Sequence, residues 1–258
     1  MKVKIIAKDN YVAVRKLRKA FQVMNGASAD VCIAVGGDGT FVLAASQFDG
    51  PILPIRGNEK GSAGFYADVG IEDIDRVIRL LKSGSYTVEA LSRKLTALHA
   101  GRRSYAVNEV ALKSDGEEIY FTVYDRSDGR RERIYPFVMS GDGMLVTGEV
   151  GSTAYNRSAN GPIMLTDKVV CLTFLNCDGP YKNPIVMDSS SSIEVMVEKG
   201  SGLLKCDNKV VARLSKGGRF SVGMSDREVR VIRLNGAAEP TRRKLKRLIM
   251  RKAVDSVQ

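Results

Sequence analysis

The residues best suited to chemistry stand together at 36–40. Gly36, Gly37, Asp38, Gly39 and Thr40 follow the apolar run Val31, Cys32, Ile33, Ala34 and Val35, and precede Phe41. The run predicts a strand buried on both faces, and residues 41–48 predict a helix. Where a strand ends in a glycine-rich turn and opens a helix, unpaired amides and a partial positive charge suit an anionic group. Gly36, Gly37 and Gly39 let backbone approach a phosphate with no Cβ in the way. Asp38 is the exception. A carboxylate in such a nest repels phosphate unless it holds a cation or takes a proton, which argues for chemistry at Asp38 over plain anion binding. The ordinary alternative is a tight turn with Asp38 or Thr40 as helix N-cap. Neither the P-loop pattern nor the dinucleotide fingerprint is present.

Three further stretches carry polar groups in telling patterns. Residues 56–64 hold Arg56, Lys60 and three glycines, a second candidate for phosphate contact or a plain surface loop. Phe65 and Tyr66 follow as stacking residues or as the loop's anchor. At Asn108-Glu109 a polar pair interrupts an apolar strand. Buried, such a pair needs partners; an Asn amide suits an adenine edge and a carboxylate suits ribose hydroxyls. Asp142 lies in Ser140-Gly141-Asp142-Gly143, and residues 151–158 read Gly-Ser-Thr-Ala-Tyr-Asn-Arg-Ser. Small hydroxylic residues let a flat ligand lie near backbone, with Thr153 to bond a base and Tyr155 to pack on a ring. Such composition also makes ordinary loops.

The elements that must position these groups change character along the chain. Residues 2–7 predict a first strand. A helix capped by Asn10 follows, with Val14, Leu17, Phe21 and Met24 on one face and Asn25-Gly26 ending it. Residues 52–55 predict a third strand and 71–83 a helix, acidic at its start and closed by Gly84. This alternation argues a parallel α/β domain over 1–90. From 91 to 236 short strands and turns dominate, with Asp115-Gly116 and Asp128-Gly129 as hairpin turns and strands at 119–124, 169–175, 193–197, 203–206, 210–214, 220–224 and 229–234. That region reads as all-β, a sandwich or similar. After Pro240, residues 237–258 predict a basic amphipathic helix with Leu245, Leu248 and Ile249 as its apolar stripe, docking on a domain.

Composition narrows the classes. The chain has 258 residues, one His, no Trp and four scattered Cys. A single His, His99 in an apolar context, removes most His-based metal sites and triads. Cys32, Cys171, Cys177 and Cys206 read as reduced buried thiols, and with no signal peptide or bilayer-length run the expected location is the cytoplasm. The net charge of +11 invites an anionic partner,. Seven cations crowd 242–252 without interleaved aromatics, which does not indicate a single-strand nucleic-acid platform,.

Gly-Gly-Asp-Gly-Thr is the phosphate-site motif of a superfamily holding NAD kinases, lipid kinases and, in a variant, phosphofructokinases. Taken with Gly64-Phe65-Tyr66, Asn108-Glu109, Asp142-Gly143, Gly151 to Tyr155, Ala159 to Pro162 and Pro184-Ile185-Val186, the chain resembles the NAD kinase family. The resemblance implies a Rossmann-like parallel α/β domain, an all-β domain, and a C-terminal helix packing back on the first. It implies 2′-phosphorylation of the adenosine ribose of NAD to NADP, with ATP or polyphosphate as donor, a divalent cation such as Mg²⁺, and a homo-dimer or homo-tetramer. Asp38 matches the catalytic base. NAD contacts are expected from Asp38, Gly39, Phe65, Asn108, Glu109, Asp142, Thr153, Ala154, Tyr155, Asn156, Arg157 and Ser158. Donor contacts are expected from Gly36, Gly37, Gly39, Thr40, Arg56 and Lys60. Gly148-Glu149-Val150 stand where the family has Thr-Pro-Thr, and Asn176-Cys177-Asp178-Gly179 where it often has Pro-His. These departures suggest a divergent branch, with an archaeal one as an option. The competing readings are a lipid or sugar kinase, and a non-catalytic dinucleotide- or nucleic-acid-binding protein.

Overall fold

Apolar, largely β-branched runs near residues 3, 33 and 53 become adjacent strands, and the glycine-rich turn caps the middle one. The computed structural model describes residues 1–9, 11–26, 28–57, 65–179, 182–234 and 240–247. The chain forms two units, Met1–Leu91 with Val229–Gln258, and Ser92–Glu228. The sequence reading had kept 91–236 together.

In the first unit the elements are β1 (Lys2–Ala7), α1 (Val12–Ala20), β2 (Gln22–Val23), β3 (Val31–Gly36), α2 (Asp38–Gln47), β4 (Ile52–Arg56), β5 (Val69–Gly70), α3 (Ile74–Ser83) and the start of β6 (Tyr86–His99). The sheet runs β2-β1-β3-β4, all parallel. β3 lies between β1 and β4 with every residue buried, which explains its unbroken apolar sequence,. Pro54 sits inside β4 at low cost. Cys32 N–H bonds the Pro51 carbonyl, so Pro54 turns its missing donor away from β3. On that far side Val231 pairs at Ile52 and β5 at Ile55, leaving Pro54 in the gap,.

α1 buries Ala13, Val14 and Leu17 but stops at Ala20, short of the predicted end. Phe21 is already extended, and Met24 N–H bonds the Val3 carbonyl as the chain enters β2. Pairing with β1 outcompetes the last helical turn. Asn10 lies outside the described residues. α2 begins at Asp38, three residues earlier than predicted. α3 buries Ile74, Val77 and Leu81 and ends on Gly84 in the left-handed conformation (φ +71°),. Ile232 and Leu234 join this core, and residues 241–247 are helical.

The second unit continues β6 and adds β7 (Arg102–Ala106), β8 (Glu109–Ser114), β9 (Ile119–Asp125), β10 (Glu132–Arg133), β11 (Met139–Gly141), β12 (Gly143–Thr147), α4 (Tyr155–Ser158), β13 (Val169–Leu175), β14 (Ile185–Asp188), β15 (Ile193–Lys199), β16 (Ser201–Cys206), β17 (Lys209–Ser215) and β18 (Arg219–Leu234). One antiparallel sheet runs β14-β13-β12-β8-β16-β17. The other contains β10-β9-β15 and the first half of β18, with β11 on β9. Leu112, Met144 and Leu172 of one sheet share a core with Phe121, Val195 and Phe220 of the other, making the expected sandwich,.

Asp128-Gly129 does turn a hairpin, between β9 and β10. Asp115-Gly116 does not. β8 pairs with β12 and β16 while β9 pairs with β15, so this turn carries the chain between sheets. The strands predicted at 220–224 and 229–234 are one strand, β18. Among the described residues no helix is long and apolar enough to cross a membrane.

Candidate functional site

Each unit gathers its own set of the predicted residues. In the first, β3 delivers the chain to Gly36, whose φ of +153° only glycine adopts easily,. A Cβ there would also lie 2.4 Å from Thr40 Oγ1. Gly37 is the extended N-cap, its carbonyl accepting from Thr40 and Phe41, and Asp38 is the first helical residue. A Cβ on Gly39 would meet open space.

The Asp38 carboxylate is half-buried and held. Its Oδ2 accepts from Phe65 N–H and its Oδ1 from Tyr66 N–H, both at 3.2 Å. Tyr66 stacks on Phe41 of α2 at 4.4 Å, and Phe65 meets Tyr66 edge-on. The aromatic pair thus fixes the two amides that orient Asp38. Behind it stands Arg233, 4% exposed. Its guanidinium donates to the Tyr66 carbonyl, Asp68 Oδ2 and Glu89 Oε2, each at 2.8 Å. Thr241 N–H bonds Glu89 as well. Burial pushes Glu89 up, but the Thr241 amide and Arg233 hold its carboxyl below the ordinary value. Lys244 Nζ donates to the Phe65 carbonyl.

Arg56, an expected donor contact, pairs with Gly36 across the β3–β4 ladder. Arg56 is exposed and ion-paired with Glu72 at 3.1 Å. Lys60 lies outside the described residues.

In the second unit, Asn108 precedes β8 and Glu109 opens it. Val107, Asn108 and Glu109 all donate their N–H groups to one carboxylate, Asp207, at 3.0, 2.7 and 3.3 Å. Asp207 sits at φ +51° in the turn between β16 and β17. The Asn108 carbonyl accepts from Thr147 Oγ1 at 2.7 Å. A Cβ on Gly151 would fall 1.8 Å from that same oxygen, so Gly151 is required by close approach. The polar pair and the Gly-Ser-Thr stretch are therefore one cluster.

Glu109 is 7% exposed and its Oε2 has no hydrogen-bond partner among the described residues. Burial, then the Asp207 charge, push its carboxyl up to about 7, with Lys205 opposing. An orphaned buried acceptor beside a polar pair is a place for a ligand hydroxyl. Burial raises Asp207 too, against the pull of its three amides.

The stretch 150–153 is a short 3₁₀ turn closed by Ser152, whose N–H and hydroxyl both bond the Glu149 carbonyl. The Glu149 carbonyl of the Gly-Glu-Val segment thus closes the turn. Thr153, Ala154 and Tyr155 are half-buried, and Arg157 and Ser158 exposed. Lys113 Nζ lies 5.4 Å over the Tyr155 ring. Asp142 is exposed, and its Oδ2 accepts from Asn176 Nδ2 at 2.7 Å.

Asn156 departs from the expectation. It is 0% exposed. Its amide donates to Pro162 and Ser152 carbonyls at 2.9 and 3.4 Å and accepts from Thr173 at 2.6 Å. The side chain is committed to the fold and holds α4 against β13.

Sequence reasoning missed Asp207, Arg233, Thr147 and Lys244. Asp207 follows Cys206 at a turn, where a carboxylate gives no signal of long-range bonds. His99 is structural as expected, Nδ1 lying 2.8 Å from the Arg219 carbonyl. The four cysteines are free and buried; burial pushes Cys32 and Cys206 up to about 12 and Cys177 to about 11, leaving inert thiols,.

The sequence matches the family description "ATP-NAD kinase N-terminal domain" over residues 1–86 and "ATP-NAD kinase C-terminal domain" over 97–234. It is 30% identical to the NAD kinase of Leifsonia xyli over 218 residues, 81% of this chain and 70% of that one. It is 31% identical to the NAD kinase of Mycobacterium tuberculosis over 220 residues, again 81% and 70%. Its fold is similar to a crystal structure of an NAD kinase from Archaeoglobus fulgidus in complex with ATP (TM-score 0.70, 20% identity, 91% of this chain and 94% of that one). It is also similar to yeast NADH kinase complexed with NADH (TM-score 0.76, 16% identity, 96% and 87%). The glycine turn around Asp38, the Asn108-Glu109 pair and the Gly-Ser-Thr stretch thus belong to a chain that both family descriptions span almost from end to end, and it is a member of the NAD kinase family.

Proposed function

We propose that this enzyme transfers the terminal phosphoryl group of ATP to the 2′-hydroxyl of the adenosine ribose of NAD, giving NADP, with Asp38 as general base. The family assignment carries the reaction. The carboxylate set by two amides at the head of α2 carries the role of Asp38. A ribose hydroxyl is a weak nucleophile at neutral pH. Asp38 takes its proton as the new O2′–P bond forms and the bond from phosphorus to the ADP oxygen breaks. Such help supplies about 10²–10⁴-fold. Positioning and charge neutralisation carry the rest.

The ATP and NADH bound in the similar solved structures support these substrate classes; polyphosphate is a second donor to test. Gly36, Gly37, Gly39 and Thr40 are the proposed donor contacts. Asn108 and Glu109 take the adenosine, and the Glu109 acceptor gains the hydroxyl partner it lacks. Phe65, Asp142, Thr153, Ala154, Tyr155, Arg157 and Ser158 are the proposed remaining dinucleotide contacts.

A divalent cation, Mg²⁺ by preference, would neutralise the donor phosphates. Among the described residues no three His, Cys, Asp or Glu side chains cluster as a metal site. That suits Mg²⁺, which keeps its waters and rides on substrate phosphates with one or two carboxylates. A homo-dimer or homo-tetramer and a cytoplasmic location complete the reading, the latter supported by four free thiols,.

The test is a coupled assay with NAD, ATP and Mg²⁺, NADP being read by an NADP-specific dehydrogenase, on wild type and Asp38→Asn. The amide variant keeps the size of the side chain and should bind NAD normally while losing turnover by 10²-fold or more, on the order expected for a base. Near-normal kcat would remove Asp38 from the role.

A further inference from the structure

We propose that Lys244, in the basic C-terminal helix, is a positioning residue for the Asp38 carboxylate, acting through the single peptide group that joins Phe65 to Tyr66. The proposal rests on the reading of Asp38 as base. The Phe65 carbonyl and the Tyr66 N–H belong to the same planar amide. Lys244 Nζ donates to the carbonyl end, and the N–H end donates to Asp38 Oδ1 at 3.2 Å. A cation and a carboxylate thus grip opposite poles of one dipole. A charge-assisted bond at the oxygen draws electron density along the amide and strengthens the bond given by its N–H.

The neighbouring groups make this arrangement specific. Phe65 N–H holds the other Asp38 oxygen, and the Tyr66 carbonyl accepts from Arg233 at 2.8 Å. Both amides of the segment therefore face Asp38 and both carbonyls face cations. Lys244 is tucked in, whereas Arg242, Arg243, Lys246 and Arg247 are exposed. Its side chain is 19% exposed, 3.7 Å from Asp68 Oδ1 and 5.4 Å over the Phe65 ring. Asp68 is shared with Arg233, so two cations and one acid brace the segment. Burial lowers the Lys244 ammonium, against the pull of Asp68 and of Asp38. The basic helix expected to dock on a domain thus sends one lysine to the segment that holds Asp38.

The test uses the full chain with saturating ATP and Mg²⁺, comparing Lys244→Met, Lys244→Arg and Asp38→Asn. Methionine fills the stem's volume without its charge. The expected result is a fall in kcat of about tenfold, the scale of one charge-assisted hydrogen bond. KM for NAD and the melting temperature should stay near wild type, and arginine should recover most of the loss. A Lys244→Met kcat within about twofold of wild type would overturn the proposal. So would equal losses in both variants accompanied by lower melting temperatures, the mark of a structural role. If Lys244→Met does not fold, Lys244→Gln is judged by the same criteria. Turnover retained by Asp38→Asn would sink the base assignment, whereas a dead Asp38→Asn beside an unimpaired Lys244→Met would sink this proposal alone.

Discussion

Glu109 shows how one residue can be legible in type and illegible in state. Its sequence context announced a costly polar group in an apolar strand. What the sequence withheld was the second carboxylate, Asp207, nearly a hundred residues later. Together with burial, that charge raises Glu109 to about 7 from an ordinary 4.5. The sign of the consequence follows. Below pH 4.5 both folded and unfolded chains are protonated here. Between 4.5 and 7 the unfolded chain has lost its proton while the folded one keeps it, so stability falls as pH rises through this window and levels off above 7. The ceiling on this contribution is on the order of 3 kcal/mol. Glu109→Gln, neutral throughout, should therefore unfold in urea with a stability that changes less from pH 5 to pH 8 than wild type. An unchanged pH slope would mean Glu109 ionises normally. Asp38 was legible because glycine spacing, strand and helix agreed on one turn. The hydrogen bonds of Asn156 were not legible, because its partners Pro162 and Thr173 come together only once α4 packs on β13.

At the scale of elements, the strand that opens at Glu109 depends on a turn from a different hairpin. Three successive amides, Val107 to Glu109, end on Asp207. Without it they would be partly buried donors lacking an acceptor, at a cost of roughly 1–3 kcal/mol for each. Asp207→Asn removes the charge and one of the two accepting oxygens, while Asn tolerates the left-handed backbone at φ +51°,. The expected outcome is a KM for NAD raised about tenfold, with kcat at saturation reduced less, because the variant disturbs the seating of Asn108 and Glu109 and leaves Asp38 untouched. An unchanged KM would show that the three amides hold their place without the carboxylate. Elements themselves were read well where periodicity and capping agreed, as in α3 with Gly84. They were misread where tertiary pairing overrode local preference. Phe21 and Met24 fit a helical face, yet the chain there bonds β1. Asp115-Gly116 has hairpin chemistry, yet its flanking strands belong to opposite sheets. No local pattern distinguishes a hairpin from a crossover.

At the scale of the whole chain, the two units differ in what they need. Residues 92–228 close their own core: Leu112, Phe121, Met144, Leu172, Val195 and Phe220 all lie within that span. The first unit is discontinuous. Its parallel sheet takes Val231 against Ile52, its core takes Ile232 and Leu234, and its half-buried Glu89 is paired by Arg233 and Thr241. A fragment of residues 1–91 would leave β4 with an open edge where Val231 pairs, an apolar face without Ile232 and Leu234, and Glu89 without its cation. Expressed alone, 92–228 should show the far-UV spectrum of a β protein and unfold cooperatively in urea. Residues 1–91 should not, and should gain a cooperative transition when 229–258 is fused to them through a flexible linker. A cooperative transition in 1–91 by itself would show that the parallel sheet and its helices suffice, and that the returning strand and C-terminal helix serve the site around Asp38 without being needed for folding. The reverse outcome would tie assembly of that site to residues 229–258, since Arg233 and Lys244 brace the Asp38 segment from there.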